Sequence, residues 1–326
     1  MNVLVTGGLG VNGSWVTRKL VERGMRPLVM DLRPDFSLVG QDLVDRFEFV
    51  SGDIGDSRLI AELLASRKIE GVVHMAAAVG HGAVDPEPKR TFDLNTYATV
   101  KLLEESRLAG VKRFVFASSR AVYGATSGAH ASPTYAPIDE DHPLRPRTLY
   151  DSCKISSESV ARAYTALGPM VCVSLRFATI YGPGKTLRHN AFGVVSGIIE
   201  GPANGQAVNV ARGGDQQDDL IFAEDAAEGV VLALLAENPS HTEYNISTGV
   251  LHSLQDIAEA VRPHFPSASI AIGPGLNFFG DGPNYSGLLS NTRARDELGF
   301  RPSTNLEESV ARYYEAMRRL RLPPFN

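Results

Sequence analysis

Cysteine is nearly absent from this chain of 326 residues: Cys153 and Cys172 are the only two. Two cysteines form no disulfide framework, and no Cys/His spacing suits a metal, so a small reduced helix or core role is the expected one for both. Charge is also sparse, at 21% of residues, and the net charge of -5 excludes a broad electrostatic case for nucleic-acid binding. No apolar run approaches the roughly 20 residues needed to cross a bilayer. The first residues, Met1-Asn2-Val3-Leu4-Val5-Thr6, run straight into a glycine turn and lack the basic start and cleavage site of a signal peptide. The expectation is a cytoplasmic protein with no nucleic-acid or membrane partner.

What is present is a regular alternation of short apolar runs and helical patterns. Val3–Thr6, Pro27–Asp31, Phe47–Ser51, Gly71–His74, Arg113–Ala117 and Met170–Phe177 read as strands. Gly13–Arg23, Thr91–Ala109 and Tyr150–Leu167 read as helices, each stopped by a glycine. The strands are uniformly apolar, which suits a parallel sheet covered on both faces. The expected fold class is α/β, a doubly wound parallel (Rossmann) sheet, with a smaller C-terminal substrate-binding region. Residues 1–177 form the expected dinucleotide-binding domain. Residues 178–326, richer in Gly and Pro, form a mostly substrate-binding region interleaved with it, with clear helices at Ala223–Ala236 and Leu306–Arg319.

The first strand leads into Thr6-Gly7-Gly8-Leu9-Gly10-Val11-Asn12-Gly13. Glycines 7, 10 and 13 give a tight turn, close approach to a pyrophosphate and close helix packing, and the helix N-terminus favours an anion. Asp31 ends the second strand 18 residues after Gly13. A carboxylate there accepts from both adenosine ribose hydroxyls and repels a 2′-phosphate, so NAD is expected rather than NADP, with Arg33 nearby as the one counter-signal. Further on, Tyr150 and Lys154 are four apart on one helix face, and Ser119 follows an apolar strand 31 residues before the tyrosine. A tyrosine with an ordinary pKa near ~10 is a poor base, and lowering it by ~3 units takes about 4 kcal/mol, which a neighbouring ammonium and a cationic nicotinamide can supply in a desolvated cleft.

The spacing Gly-x-x-Gly-x-x-Gly, with Ser119, Tyr150 and Lys154 in order, resembles the short-chain dehydrogenase/reductase superfamily. From Asn2 to about Arg319 the chain resembles its extended branch, the NAD-dependent epimerase/dehydratase family. The resemblance rests on Gly52-Asp53-Ile54, His74-Met75-Ala76-Ala77, Asn95, Ser118-Ser119-Arg120-Ala121-Val122-Tyr123-Gly124, Tyr150-Asp151-Ser152-Cys153-Lys154 and Asp296-Glu297-Leu298-Gly299-Phe300-Arg301-Pro302. It implies Ser119, Tyr150 and Lys154 as catalytic residues. It also implies Gly7, Gly10, Val11, Asn12, Gly13, Asp31, Asp53, Ile54, Ala76, Ala77, Asn95, Tyr150, Lys154 and Phe177 as the NAD site. Counting back from Tyr123-Gly124 gives Ser119, not Ser118, the catalytic place; Ser118 then contacts the cofactor or caps the strand. A homodimer through the helices Thr91–Ala109 and Tyr150–Leu167 is implied as well.

Three departures narrow the chemistry. The acidic residue that dehydratases and decarboxylases of the family carry two places after the serine is Ala121 here. The asparagine and the arginine by which its nucleotide-sugar enzymes hold a diphosphate are Thr179 and Asp218. An anion in place of a cation repels a diphosphate. The expected substrate is therefore a small sugar, sugar acid, polyol or hydroxy acid, oxidised at a secondary alcohol. A nucleotide-sugar (UDP-sugar) epimerase that holds its NAD tightly, with Arg212 as a substitute cation, and a non-catalytic NAD-binding regulator are the alternatives. Substrate contacts are expected from Ser119, Thr179, His81 and Arg188, with Lys185, His189 and Asn190 as further candidates and Lys185, Arg188 and His189 able to hold a carboxylate. No metal is expected.

Overall fold

The computed structural model describes residues 1–78, 85–186, 193–280 and 284–325. Its frame is a seven-stranded parallel sheet in the order β10-β6-β5-β4-β1-β2-β3. The strands are β1 Val3–Thr6, β2 Leu28–Asp31, β3 Glu48–Ser51, β4 Gly71–His74, β5 Arg113–Ala117, β6 Val171–Phe177 and β10 Glu243–Ile246. β1 and β4 are buried at every position, as an apolar strand between two helical layers must be. Strand order reverses between β1 and β4, and the crevice beyond their carboxyl ends is the expected ligand position of a doubly wound sheet.

Helices α1 Gly13–Glu22, α2 Ser57–Ser66, α3 Pro88–Phe92, α4 Ala98–Leu108 and α5 Leu149–Leu167 cover the faces of this sheet. The helix expected over Thr91–Ala109 is α3 and α4 joined by a π-helical turn at Asp93–Tyr97. The wider turn lets Asn95 reach Ala78, accepting from its N–H and donating to its carbonyl, both at 2.8 Å.

Beyond Phe177 the chain adds β7 Thr179–Tyr181, β9 Gln217–Phe222 and β11 Leu251–Ser253 as one small sheet, and β8 Val208–Val210 with β12 Ile270–Ile272 as another. Helices α6 Val194–Ala203, α7 Ala223–Leu235, α8 Leu254–Val261, α9 Thr292–Glu297 and α10 Leu306–Arg319 accompany them. This part is woven into the first. β10 pairs with β6 in the main sheet, and α7 lies against α1, tied by Lys19–Glu224 at 2.8 Å and by Arg23–Glu228. Among the described residues no helix is long and apolar enough to cross a membrane. Cys153 and Cys172 are buried and free, and no metal-ligating cluster occurs among those residues.

Candidate functional site

A cleft of about 960 Å³ opens at the carboxyl ends of β1, β4, β5 and β6. Its floor is the glycine loop. Gly7 has φ +66°, and a Cβ on it would lie 2.7 Å from the Ala76 Cα, so the β1 turn and the segment after β4 touch only because neither carries bulk. A Cβ on Gly13 would lie 2.0 Å from the Gly7 carbonyl oxygen, which fixes how closely α1 starts under the loop. Asn12 leads into α1 with its Oδ1 buried and unpartnered. The Asp31 carboxylate faces the cleft from the end of β2 and accepts the Leu9 and Leu32 N–H groups at 2.9 and 2.8 Å. Each oxygen keeps a second lone pair for a ribose hydroxyl. Arg33 is exposed and does not line the cleft. The loop, the orphaned amide oxygen, the acid at β2 and the small Ala76 and Ala77 together fit NAD.

Of the residues expected at the cofactor, Gly7, Gly10, Val11, Asn12, Gly13, Asp31, Asp53, Ile54, Ala76, Ala77, Tyr150, Lys154 and Phe177 all line this cleft. Asn95 does not: both ends of its amide are spent on Ala78, so it acts only by shaping the segment beside Ala76 and Ala77. Asp53 lines the cleft while its carboxylate accepts the Gly55 N–H at 2.7 Å. His81, Arg188, His189 and Asn190 lie outside the described residues.

The opposite wall brings Ser119, Tyr150 and Lys154 together. Ser119 ends the extended run after β5 and caps the following turn, its Oγ accepting the Ala121 N–H at 3.1 Å. Tyr150 stands in the first turn of α5, whose start is locked by a capping box between Thr148 and Asp151. The Ser119 hydroxyl neighbours the Tyr150 phenol and favours its ionised form. Lys154, one turn on, donates to the Ala117 carbonyl at 2.6 Å and sits 5.5 Å from the Tyr150 ring centroid. Burial lowers the Lys154 ammonium to about 8, opposed by the Glu158 charge.

The expected lowering of Tyr150 is not a property of the protein alone. Desolvation pushes the phenol up to about 12, opposed only by the neighbouring Ser119 hydroxyl. Ser118, left open between two roles, donates to Glu158, whose other partner is the buried Arg176 at 2.7 Å. It lines the cleft as well.

Thr179 and Asp218, the two departures, meet each other. Asp218 is buried, and its Oδ1 accepts from Arg120 Nη1 at 2.5 Å and from the Gly287 and Asp219 N–H groups at 3.0 Å. Its Oδ2 accepts from the Thr179 hydroxyl at 2.6 Å. Arg120 completes the cluster by donating to the Gly287 carbonyl at 3.0 Å. Asp218 is thus not the bare anion expected from sequence, because Arg120 from the serine segment neutralises it. Arg120, Thr179 and Ala121 line the cleft, whereas Arg212 is exposed and does not.

Tyr285 is a cleft residue that sequence reasoning missed. Its O–H donates to the Asp151 carboxylate at 2.9 Å, tying the C-terminal region to the start of α5. No local motif marks it.

Comparison with known proteins agrees with this geometry. The model of the NAD dependent epimerase/dehydratase family matches residues 3–247. The UDP-glucose 4-epimerase of Mycolicibacterium smegmatis is 30% identical over 98% of this chain and 99% of its own. The dTDP-L-rhamnose 4-epimerase of Burkholderia thailandensis is 25% identical over 94% of this chain and 92% of its own. The UDP-glucose 4-epimerase of Thermus thermophilus, solved with NAD, superposes with a TM-score of 0.80 at 26% identity, covering 98% of this chain and 99% of the other. That of Thermotoga maritima, solved with UDP-glucose, gives 0.81 at 26% identity with the same coverage. The chain belongs to the NAD-dependent epimerase/dehydratase family and is an enzyme whose cofactor is NAD.

Proposed function

We propose that this enzyme oxidises a secondary alcohol of a small sugar, sugar acid, polyol or hydroxy acid and releases NADH. Ser119, Tyr150 and Lys154 are its catalytic residues. NAD⁺, when bound in this cleft, would supply the hydride acceptor and a positive charge. Ser119 donates a hydrogen bond to the substrate oxygen and fixes the carbinol hydrogen in one direction. Tyr150 takes the hydroxyl proton as the C–H bond breaks. Bringing its phenol from about 12 to neutral pH takes about 7 kcal/mol. One hydrogen bond contributes about 1 kcal/mol, so positive charge in a dry cleft must supply most of it. Lys154 supplies part of that charge from beneath the tyrosine ring, and burial next to Phe116 keeps its field unscreened.

The observation that carries the choice of substrate is the Arg120–Asp218–Thr179 cluster. The Thr179 hydroxyl gives its proton to Asp218, and Asp218 is an acceptor only, so neither side chain offers a donor to a diphosphate. Relatives named as UDP-glucose epimerases favour a second reading, in which the oxidised sugar is reduced again on its other face without net NADH. Calorimetry of the NAD-loaded protein with UDP and UDP-glucose separates the two. The proposal predicts no binding below millimolar concentrations, and micromolar binding would refute it.

We also propose a homodimer through α4 and α5 and a cytoplasmic location. Exposed Phe92, Tyr97, Leu108 and Leu167 on and beside those helices support the dimer, and sedimentation would test it. Free, buried cysteines support the location.

A further inference from the structure

Among the described residues four cations line the cleft: Arg120, Arg147, Lys154 and Lys185. Arg120 is neutralised by Asp218, Lys154 is bonded to Ala117, and Arg147 is exposed to water. Lys185 is different. It is only 7% exposed, yet among the described residues its ammonium has no hydrogen-bond acceptor and no anion beside it. Burial alone acts on it and lowers it to about 8. A largely buried ammonium with no anion beside it is costly in a folded protein, and on a cleft wall it marks a candidate ligand contact.

Position narrows the ligand. Lys185 follows β7, whose Thr179 and Ile180 line the cleft. Gly184, immediately before it, lies against Leu38 of the segment after β2, where an added Cβ would come within 2.7 Å of that side chain. Lys185 thus lines the cleft from the chain that follows β7, which packs on the segment after β2. We propose that Lys185 is an anion subsite, its ammonium binding a phosphate or carboxylate oxygen of the ligands that fill the cleft. The two sources are the cofactor diphosphate and a carboxylate on the substrate. The second rests on the small-substrate reading above and would make the substrate a hydroxy acid or sugar acid.

The test uses the whole protein and its Lys185→Met and Lys185→Arg variants. Dissociation constants are measured by calorimetry, first for NADH and then, on the NADH-loaded protein, for four- to six-carbon aldonates and the alditols of the same configuration. A tenfold or greater loss of NADH affinity in Lys185→Met, recovered in Lys185→Arg, assigns the diphosphate. Unchanged NADH affinity, with aldonates preferred at least tenfold over alditols in the wild type and that preference gone in Lys185→Met, assigns the carboxylate. Lys185→Met should also unfold at higher temperature, because an unpaired charge leaves the interior. Equal NADH and aldonate affinities in wild type and Lys185→Met overturn the proposal, as does a wild type that binds no aldonate and a variant that binds NADH as well as it does. Should alditols alone be oxidised to give NADH, the carboxylate assignment falls while the small-substrate reading stands. Conversion of a UDP-sugar without net NADH removes that reading and leaves only the diphosphate arm.

Discussion

Arg120 and Asp218 meet at 2.5 Å inside the cleft wall, one from the turn after β5 and the other from β9, 98 residues apart. The place on β9 where the family resemblance expects a cation holds an aspartate, and the arginine that balances it stands next to Ser119. The pair should be strongly coupled. Asp218→Ala leaves a buried guanidinium unpaired and should cost about 3–5 kcal/mol in urea unfolding. Replacing both partners by Met and Leu should recover most of that loss. Additive single losses would show that the contact is incidental.

Tyr150→Phe should abolish turnover by at least about 10²-fold while leaving NADH binding within a few-fold. In the wild type, log kcat/KM should rise with unit slope as pH increases, until the phenol is ionised in the complex. Lys154→Met should move that limb upward in pH, because part of the positive charge that favours the phenolate is gone. A flat profile would exclude Tyr150 as the base.

His74 is fully enclosed, hydrogen-bonded between Thr6 and Thr99 at 2.7 and 2.9 Å, and burial with the Lys154 charge lowers it from 6.5 to about 3. The unfolded chain therefore binds the extra proton first. Stability should fall as pH drops below 6.5, with up to about 4–5 kcal/mol lost by pH 3 from this residue. His74→Gln should flatten that part of the acid unfolding curve, and an unchanged slope would mean that other groups govern it.

Asn95→Ala removes both hydrogen bonds to the Ala78 backbone without touching the cleft. NAD⁺ affinity should weaken about tenfold, in line with one or two lost backbone anchors, and kcat should change little. A kcat loss larger than the affinity loss would mean that Asn95 acts on the chemistry instead.

Much of this was legible in the sequence because it is local. The glycine loop, Asp31 and the Tyr150–Lys154 spacing each follow from one strand or one helix, and β1, β4 and β5 were read to the residue because each is a short segment with an apolar centre. Helix α6 was missed because Gly197, Gly201 and Pro202 mask its pattern. Helix α8 did carry a signal, the capping box between Ser253 and Asp256. The π-helical turn at Asp93–Tyr97 left no trace, since it serves a contact 17 residues away. Arg120–Asp218 and Tyr285–Asp151 were invisible for the same reason: each joins segments that only the fold brings together.

The most direct test is an absorbance assay for net NADH, with purified protein, NAD⁺ and a panel of sugars, sugar acids, polyols, hydroxy acids and UDP-sugars. The account predicts stoichiometric NADH from a small substrate, lost in Tyr150→Phe, and no conversion of the UDP-sugars. Epimerisation of a UDP-sugar without net NADH, and silence from every small compound, would contradict it.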